Sequence, residues 1–314
     1  RGSGSRMRVG THLIEADSGA QLWASRYDVE RGDVLDLQDR IAREIIRELE
    51  PALTRAEMAI FRRRRRSEDF TAWSHYRQAV GVIALGGWNE ETLTEAISQL
   101  CNAIAQDANF ALPRALLALL TGMGSRLSLV PGATGERDVL EQANRAIEID
   151  PHDSEVLGYA GCALADIGDL KRGPAILQRA VELDPSNAQA LVALGAAQIQ
   201  LEQFSPGIEN LRLGIRLSPR DFRLSFWGML LADALIRVDS LDEALAEAML
   251  ASRCDSRLHG SRVVASWAML RLNRLDEARQ TLAEARRIRP QLSLGEIKRF
   301  FGARAAADLG ALWN

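Results

Sequence analysis

The residue types that most often catalyse reactions or bind metals are few in this chain and lie far apart. Four histidines share no paired spacing such as HExxH, which a zinc site or an acid–base pair would need; they are His12, His75, His152 and His259. Three cysteines, odd in number and without metal-binding spacing, are predicted to be small buried thiols: Cys101, Cys162 and Cys254. No phosphate-binding loop, GxGxxG motif or GxSxG nucleophile elbow occurs. We therefore expect no catalytic residue, no bound metal, no cofactor and no enzymatic activity.

A run of five arginines is the strongest local concentration of charge: Arg62, Arg63, Arg64, Arg65 and Arg66. One interpretation is a solvated helical linker whose guanidinium groups pair with neighbouring acids and whose stems cover apolar surface. The other is an anion-binding patch for a membrane surface, a nucleic acid or an acidic partner. Because the net charge is −3, we expect nucleic-acid or membrane binding only through this run or through a domain upstream of residue 1.

The composition is that of a soluble globular protein, with 47% hydrophobic and 26% charged residues in 314. No segment reaches the roughly 18 uninterrupted apolar residues that a membrane span requires, since Pro113 and Arg114 break the most apolar one. We expect no signal peptide within the given sequence. We expect a cytoplasmic chain, although an upstream segment could anchor the full-length protein in a membrane.

Prolines spaced at a fixed interval indicate the elements that position everything else. Pro151, Pro185 and Pro219 are each 34 residues apart, and Pro290 ends a further unit. A proline cannot continue the helical hydrogen-bond ladder, so each is predicted to end the second helix of a helix–turn–helix unit. Units 154–185 and 188–219 fit best, a looser one starts at 222, and regularity returns at 259. Degenerate units are predicted at 70–108 and 109–151, the latter with a loop at 127–135, and a helical cap at 291–314.

This pattern resembles the tetratricopeptide repeat family over roughly 180 to 220 residues. The resemblance implies a mostly α fold, an α-solenoid of antiparallel helix pairs whose first helices line a concave groove for peptides or extended segments. Carried over onto this sequence, the groove positions are Gln189, Val192, Ala196, Ile199, Arg223, Phe226, Leu230, Asp233, Val263, Trp267 and Leu270. They lack the Lys, Arg and Asn ring with which some family members bind C-terminal carboxylates. Phe226 and Trp267 either pack in the core or contact a ligand.

The N-terminal residues predict a small α+β piece, namely a β-hairpin followed by a helix. Residues 9–16 and 22–27 read as strands around a turn at 17–19, and Leu37, Ile41, Ile45 and Leu49 mark an amphipathic helix. The strings LIEADSGAQLWA (13–24), RYD (26–28) and LQDRIA (37–42) resemble the N-terminal module of the translocation protein TolB. In bacterial signalling proteins that module sits between a class III adenylate/guanylate cyclase or winged-helix domain and tetratricopeptide repeats.

The predicted organisation is therefore a truncated α+β module with an arginine-rich linker (1–66), degenerate repeats (67–151), regular repeats (152–290) and a C-terminal helical cap (291–314). We expect a non-catalytic, protein-interacting and sensory region of a bacterial signalling protein, with a peptide or protein segment in its groove. Three alternatives stay open: the regulatory C-terminal part of a cyclase whose catalytic domain is absent from this chain, a self-association scaffold that forms homo-oligomers, and a small-molecule sensor.

Overall fold

The computed structural model describes residues 6–14, 21–30, 67–127, 129 and 135–313, in two compact units, Arg1–Phe70 and Thr71–Asn314. The first unit contains two antiparallel strands, β1 (Arg6–Ile14) and β2 (Gln21–Glu30). Their register pairs Arg6 with Glu30 and Leu13 with Trp23, and an irregularity follows Leu13. The predicted turn at 17–19, the predicted helix marked by Leu37 to Leu49 and the arginine run at 62–66 lie outside the described residues.

Helices make up the second unit, and consecutive helices pack against one another as pairs. The fourteen that the described residues contain are α1 (Ser67–Gly86), α2 (Glu90–Gln106), α3 (Ala111–Arg126), α4 (Glu136–Ile149), α5 (Ser154–Asp166), α6 (Arg172–Leu183), α7 (Ala188–Gln200), α8 (Phe204–Leu217), α9 (Leu224–Arg237), α10 (Leu241–Cys254), α11 (His259–Arg271), α12 (Leu275–Ile288), α13 (Leu294–Phe301) and α14 (Ala303–Gly310).

The periodic prolines end helices as predicted. Helices α4, α6 and α8 each stop before the residue that precedes a proline, and those three C-caps, Asp150, Asp184 and Ser218, have non-helical backbone angles. The cause is steric, because a proline ring disfavours helical geometry in the residue before it. The cap N–H still bonds back to the carbonyl four residues earlier, which keeps each last turn closed.

Side-chain caps join one repeat to the next. Asn187 accepts a hydrogen bond from the N–H of Ala190 (2.9 Å) at the start of α7, and its amide donates to the Ser154 carbonyl (2.9 Å) at the start of α5. Ser154 in turn donates through Oγ to the Ala180 carbonyl of α6 (2.9 Å). The polar atoms at these helix ends are thus bonded across neighbouring repeats, which fixes the angle at which the repeats stack.

Glycines allow the two helices of a pair to approach closely. A Cβ atom on Gly195 of α7 would lie 2.6 Å from the Gly207 carbonyl oxygen of α8, and one on Gly161 would lie 2.9 Å from Leu177 Cγ. Those distances are shorter than van der Waals contact, so any side chain at either position would push the pair apart.

The repeats curve until the two ends of the helical unit meet. The Trp88 backbone N–H, between α1 and α2, donates to Asp255 Oδ2 (3.1 Å) after α10, and Arg257 donates to the Leu85 carbonyl at 3.5 Å. Helix α13 also packs against α3. This curvature encloses an interior on the concave side. Of the described helices, none is both long enough and apolar enough to span a bilayer.

Candidate binding site in the concave face

An interior cavity, called the concave cavity below, lies between helices from both ends of the unit. The cavity volume is about 80 Å³, and the whole space between its walls, part of it open solvent, is about 820 Å³. Helices α3, α5, α7 and α9 supply most of the wall, and Trp88 and Phe300 supply the rest. On α7 and α9 the lining residues recur every three or four positions, so each helix turns one face inward. The predicted groove residues that line it are Gln189, Val192, Ala196, Ile199, Arg223, Phe226, Leu230 and Asp233.

The three predicted groove residues on α11 do not line this cavity. Val263 and Trp267 are buried and Leu270 is half-buried. Trp267 donates through its indole N–H to Asp308 of α14 (2.8 Å), so helix α14 covers the face of α11 that sequence reasoning assigned to a groove. For Trp267, burial is therefore the interpretation that the contacts support, whereas Phe226 is half-buried against the cavity.

Aromatic rings from distant parts of the chain form one wall of the cavity. The Phe226 ring lies 5.6 Å from the Trp88 ring and 6.0 Å from the Phe300 ring, measured between centroids. Trp88 also stacks on Phe222, at 6.5 Å. The guanidinium of Arg126 lies 4.8 Å from the centre of the Phe300 ring. Such contacts combine a large apolar area with fixed geometry, which suits a binding surface.

Every charged residue that lines the cavity has an ion-pair partner. Arg126 pairs with Asp166, and Arg237 Nε lies 2.9 Å from Asp233 Oδ2. Burial raises the pKa of both aspartates above the usual range, and the neighbouring arginines oppose that rise. Removing one member of such a buried pair would leave an uncompensated charge. The Arg126–Asp166 pair links α3 to α5, whereas the Arg237–Asp233 pair lies within α9.

A second polar network starts from Arg223 at the cavity wall. Arg223 pairs with Asp221 (Nη2 to Oδ2, 2.7 Å) and donates to Gln189 Oε1 (3.0 Å). Its guanidinium lies over the Trp227 ring, 4.8 Å from the centroid. Arg223 Nη1 also donates to the Tyr159 hydroxyl oxygen (3.4 Å), and that hydroxyl donates to Glu155 Oε1 (3.1 Å).

Burial raises the pKa of Glu155, and hydrogen bonds from tyrosine hydroxyls oppose the rise. Glu155, Gln189 and Arg223 are each 34 residues apart, which places one polar residue at the same position of three successive repeats. Sequence reasoning singled out Gln189 and Arg223 and missed Glu155, although the repeat period would have identified it. Arg126, Trp88, Asp166 and Phe300 were also missed, and no local pattern marks them.

The cysteines and histidines are not gathered at this site. The prediction that the thiols are buried is wrong for Cys101 and Cys254, which are exposed on α2 and at the end of α10, whereas Cys162 is half-buried at the cavity. Both exposed thiols fall on the outward face of a helix, which a one-dimensional spacing does not reveal. Across the described ranges, no group of three or more His, Cys, Asp or Glu residues is placed to hold a metal ion.

Helix pairs at a 34-residue period, stacked so that their first helices enclose a concave cavity, define a tetratricopeptide-type α-solenoid. No protein-family model matches the chain, and no curated protein matches it significantly. Similar solved structures include PilF of Pseudomonas aeruginosa, which is 18% identical to this chain. The match covers 78% of this chain and 99% of the PilF chain, with a TM-score of 0.47.

Two further solved structures are similar to the helical repeats. YrrB, a TPR protein with an unusual peptide-binding site, is 18% identical and covers 68% of this chain and 97% of its own, with a TM-score of 0.41. MamA from Desulfovibrio magneticus RS-1 is 19% identical and covers 57% of this chain and 98% of its own, with a TM-score of 0.42. None of these similarities assigns a ligand to this chain.

Proposed function

We propose that this chain is a non-catalytic interaction module whose concave cavity binds a short segment of a peptide or protein. The observation that carries the proposal is the cavity wall itself, in which aromatic and aliphatic side chains from four repeats surround a few fixed polar groups. Recognition sites combine these features, since apolar burial supplies affinity and a few placed polar groups orient the ligand. The ligand would lie along α7 and α9, where Val192, Ile199, Phe226 and Leu230 face it.

The charged side chains at the cavity suit positioning rather than catalysis. Each is already bound to an opposite charge, as in the pairs Arg126–Asp166 and Arg223–Asp221. A general acid or base needs a proton-accepting atom that can reach the substrate, and an aspartate engaged by a guanidinium offers that poorly. These pairs instead give the cavity a fixed shape, so that a ligand meets a preorganised surface.

The test is a selection from a displayed random peptide library, followed by titration of the enriched peptides against purified variants. Leu230→Gln places an amide in the cavity wall and should weaken binding about tenfold or more, since a buried leucine contributes on the order of 2 kcal/mol. Leu250→Gln makes the same chemical change at a side chain that is 49% exposed on α10, and should leave binding unchanged. If both variants lose the same affinity, or if neither loses any, the cavity is not the binding site.

The resemblance of residues 13–42 to the TolB N-terminal module supports a further part of the proposal. We place the chain in a cytoplasmic bacterial signalling protein, in which occupancy of the cavity regulates a cyclase or winged-helix effector. The coding sequence next to that of this chain tests the idea. An effector domain there would support it, and any other neighbour would remove it while leaving the binding proposal untouched.

A further inference from the structure

The concave cavity already holds a group from its own chain, and that group indicates what else fits there. We infer that helix α13 fills part of the cavity as an internal occupant, a segment of the chain that takes the place of a ligand. The inference rests on the proposed binding function. The ligand presents the same chemistry as α13, namely an aromatic side chain beside a main-chain carbonyl. The ligand competes with Phe300 for its place. Peptide segments with an aromatic residue are thus the partner class.

The first anchor is the ring of Phe300. It lies edge-on to the Phe226 ring at 6.0 Å and beneath the Arg126 guanidinium at 4.8 Å. Phe300 is only half-buried, whereas its neighbour Phe301 is buried. The fold therefore keeps Phe301 in its core and leaves the Phe300 ring at the open side of the cavity, where another ring could replace it.

The second anchor is a main-chain carbonyl. Helix α13 ends at Phe301, and the residue after it, Gly302, has a φ of +93° that suits glycine. The last carbonyls of a helix lack partners within the helix. The Phe301 carbonyl instead accepts a hydrogen bond from Arg237 Nη2 (3.0 Å). Arg237 remains paired with Asp233 through Nε, so its guanidinium holds the carboxylate and offers a further donor toward the occupant.

The third observation is a donor that the internal occupant leaves unused. Trp88 lines the cavity and is 3% exposed, yet among the residues that the structure describes no acceptor lies within hydrogen-bonding distance of its Nε1. A buried donor without a partner is costly, so an occupant that brings an acceptor to Trp88 binds better than one that does not. Phe300 fills the apolar part of the site and leaves this donor unsatisfied, which makes it displaceable.

The segment that carries Phe300 is held elsewhere, so its ring can leave while the fold stays. Ile297 is buried, Glu296 pairs with Arg289 (2.8 Å), and the following helix is fixed through the bond between Trp267 and Asp308. Displacement therefore needs the Phe300 ring to move aside and the Phe301 carbonyl to release Arg237 Nη2, but not the release of the start of α13 or of α14. The internal occupant lowers the apparent affinity for other ligands by the fraction of time for which it fills the site.

The experiment titrates a fluorescein-labelled octapeptide with the sequence of residues 295–302, GEIKRFFG, into the full chain and three variants. Phe300→Ala should bind it about tenfold more tightly than the unaltered chain, because competition is lost. Adding Trp88→Phe to that variant, which removes the N–H and keeps an aromatic ring, should weaken binding about tenfold. Phe204→Ala removes a half-buried ring outside the cavity and should match the unaltered chain.

Binding to Phe300→Ala no tighter than to the unaltered chain overturns the inference, as does equal binding of a peptide with both phenylalanines replaced by alanine. If N-acetylphenylalaninamide binds Phe300→Ala but the octapeptide does not, Phe300 merely filled a hole and the inference fails. If Phe300→Ala melts at a lower temperature than the unaltered chain, Phe300→Leu is tested instead. It should bind the octapeptide about threefold more tightly than the unaltered chain, and no gain in affinity would overturn the inference. Binding of library-selected peptides that depends on Leu230 but not on Phe300 contradicts this inference while the proposed function stands.

Discussion

The buried imidazole of His259 should make the protein lose stability in mild acid, by an amount that the structure sets. His259 is 6% exposed at the start of α11. Burial and the nearby Arg289 guanidinium lower its pKa to about 4, from 6.5, while Glu296 acts in the opposite direction. Between these two pH values the unfolded chain binds a proton that the folded chain does not, so stability falls as the pH falls from 6.5 toward 4.

The magnitude follows from the size of the shift. One pKa unit corresponds to about 1.4 kcal/mol, so a shift of roughly 2.5 units removes about 3 kcal/mol from the free energy of unfolding by pH 4. Asp166, Asp233 and Glu155, whose pKa values are raised, act with the opposite sign in acid. The quantity to follow is therefore the difference between the protein and a variant that lacks the imidazole.

The assay is urea unfolding of the protein and of His259→Gln at half-unit steps from pH 7.5 to pH 4. Relative to the variant, the protein should lose about 3 kcal/mol over that range, nearly all of it below pH 6.5. His152→Gln, which removes an exposed imidazole, controls for the substitution itself. A difference between protein and His259→Gln that stays constant with pH, or grows in favour of the protein in acid, would refute the reasoning.

Three further outcomes follow from the packing. Gly195→Ala should lower the free energy of unfolding by about 2 kcal/mol because its Cβ would meet a backbone carbonyl, whereas Gly81→Ala, with open space around it, should raise it by about 0.5 kcal/mol; urea unfolding distinguishes them. Asn187→Ala should cost about 1 to 2 kcal/mol by the same assay, since a cap and a bond between repeats are lost. Arg223→Met should lower the melting temperature more than Gly195→Ala or Asn187→Ala does, because it leaves the Asp221 carboxylate without its ion-pair partner at a cost of about 3 kcal/mol or more. A smaller loss than that of Asn187→Ala would contradict this.

The sequence predicted those parts of the fold that depend on local rules. Proline geometry is local, so Pro151, Pro185 and Pro219 located the ends of α4, α6 and α8. The resemblance to tetratricopeptide repeats implied the groove positions on α7 and α9, and the 34-residue period applied to Gln189 would have added Glu155 to the polar network.

The parts that could not be predicted depend on the curvature of the whole array. Trp88 meets Asp255 across 167 residues only because small angles between successive repeats add up until distant repeats come into contact. Phe300 reaches Phe226 for the same reason, and Trp267 leaves the concave surface because α14 folds over α11. The spacing of residues along the sequence does not reveal how these angles add up. The cavity wall was therefore foreseen on two helices, and its closure by the chain ends was not.

Titration of library-selected peptides against Leu230→Gln and Leu250→Gln tests most directly whether the concave cavity is the binding site. The two variants make the same chemical change, one at the cavity wall and one at an exposed position of α10. The account predicts that Leu230→Gln binds about tenfold more weakly or worse and that Leu250→Gln binds as the unaltered chain does. Full retention of binding by Leu230→Gln would contradict the account.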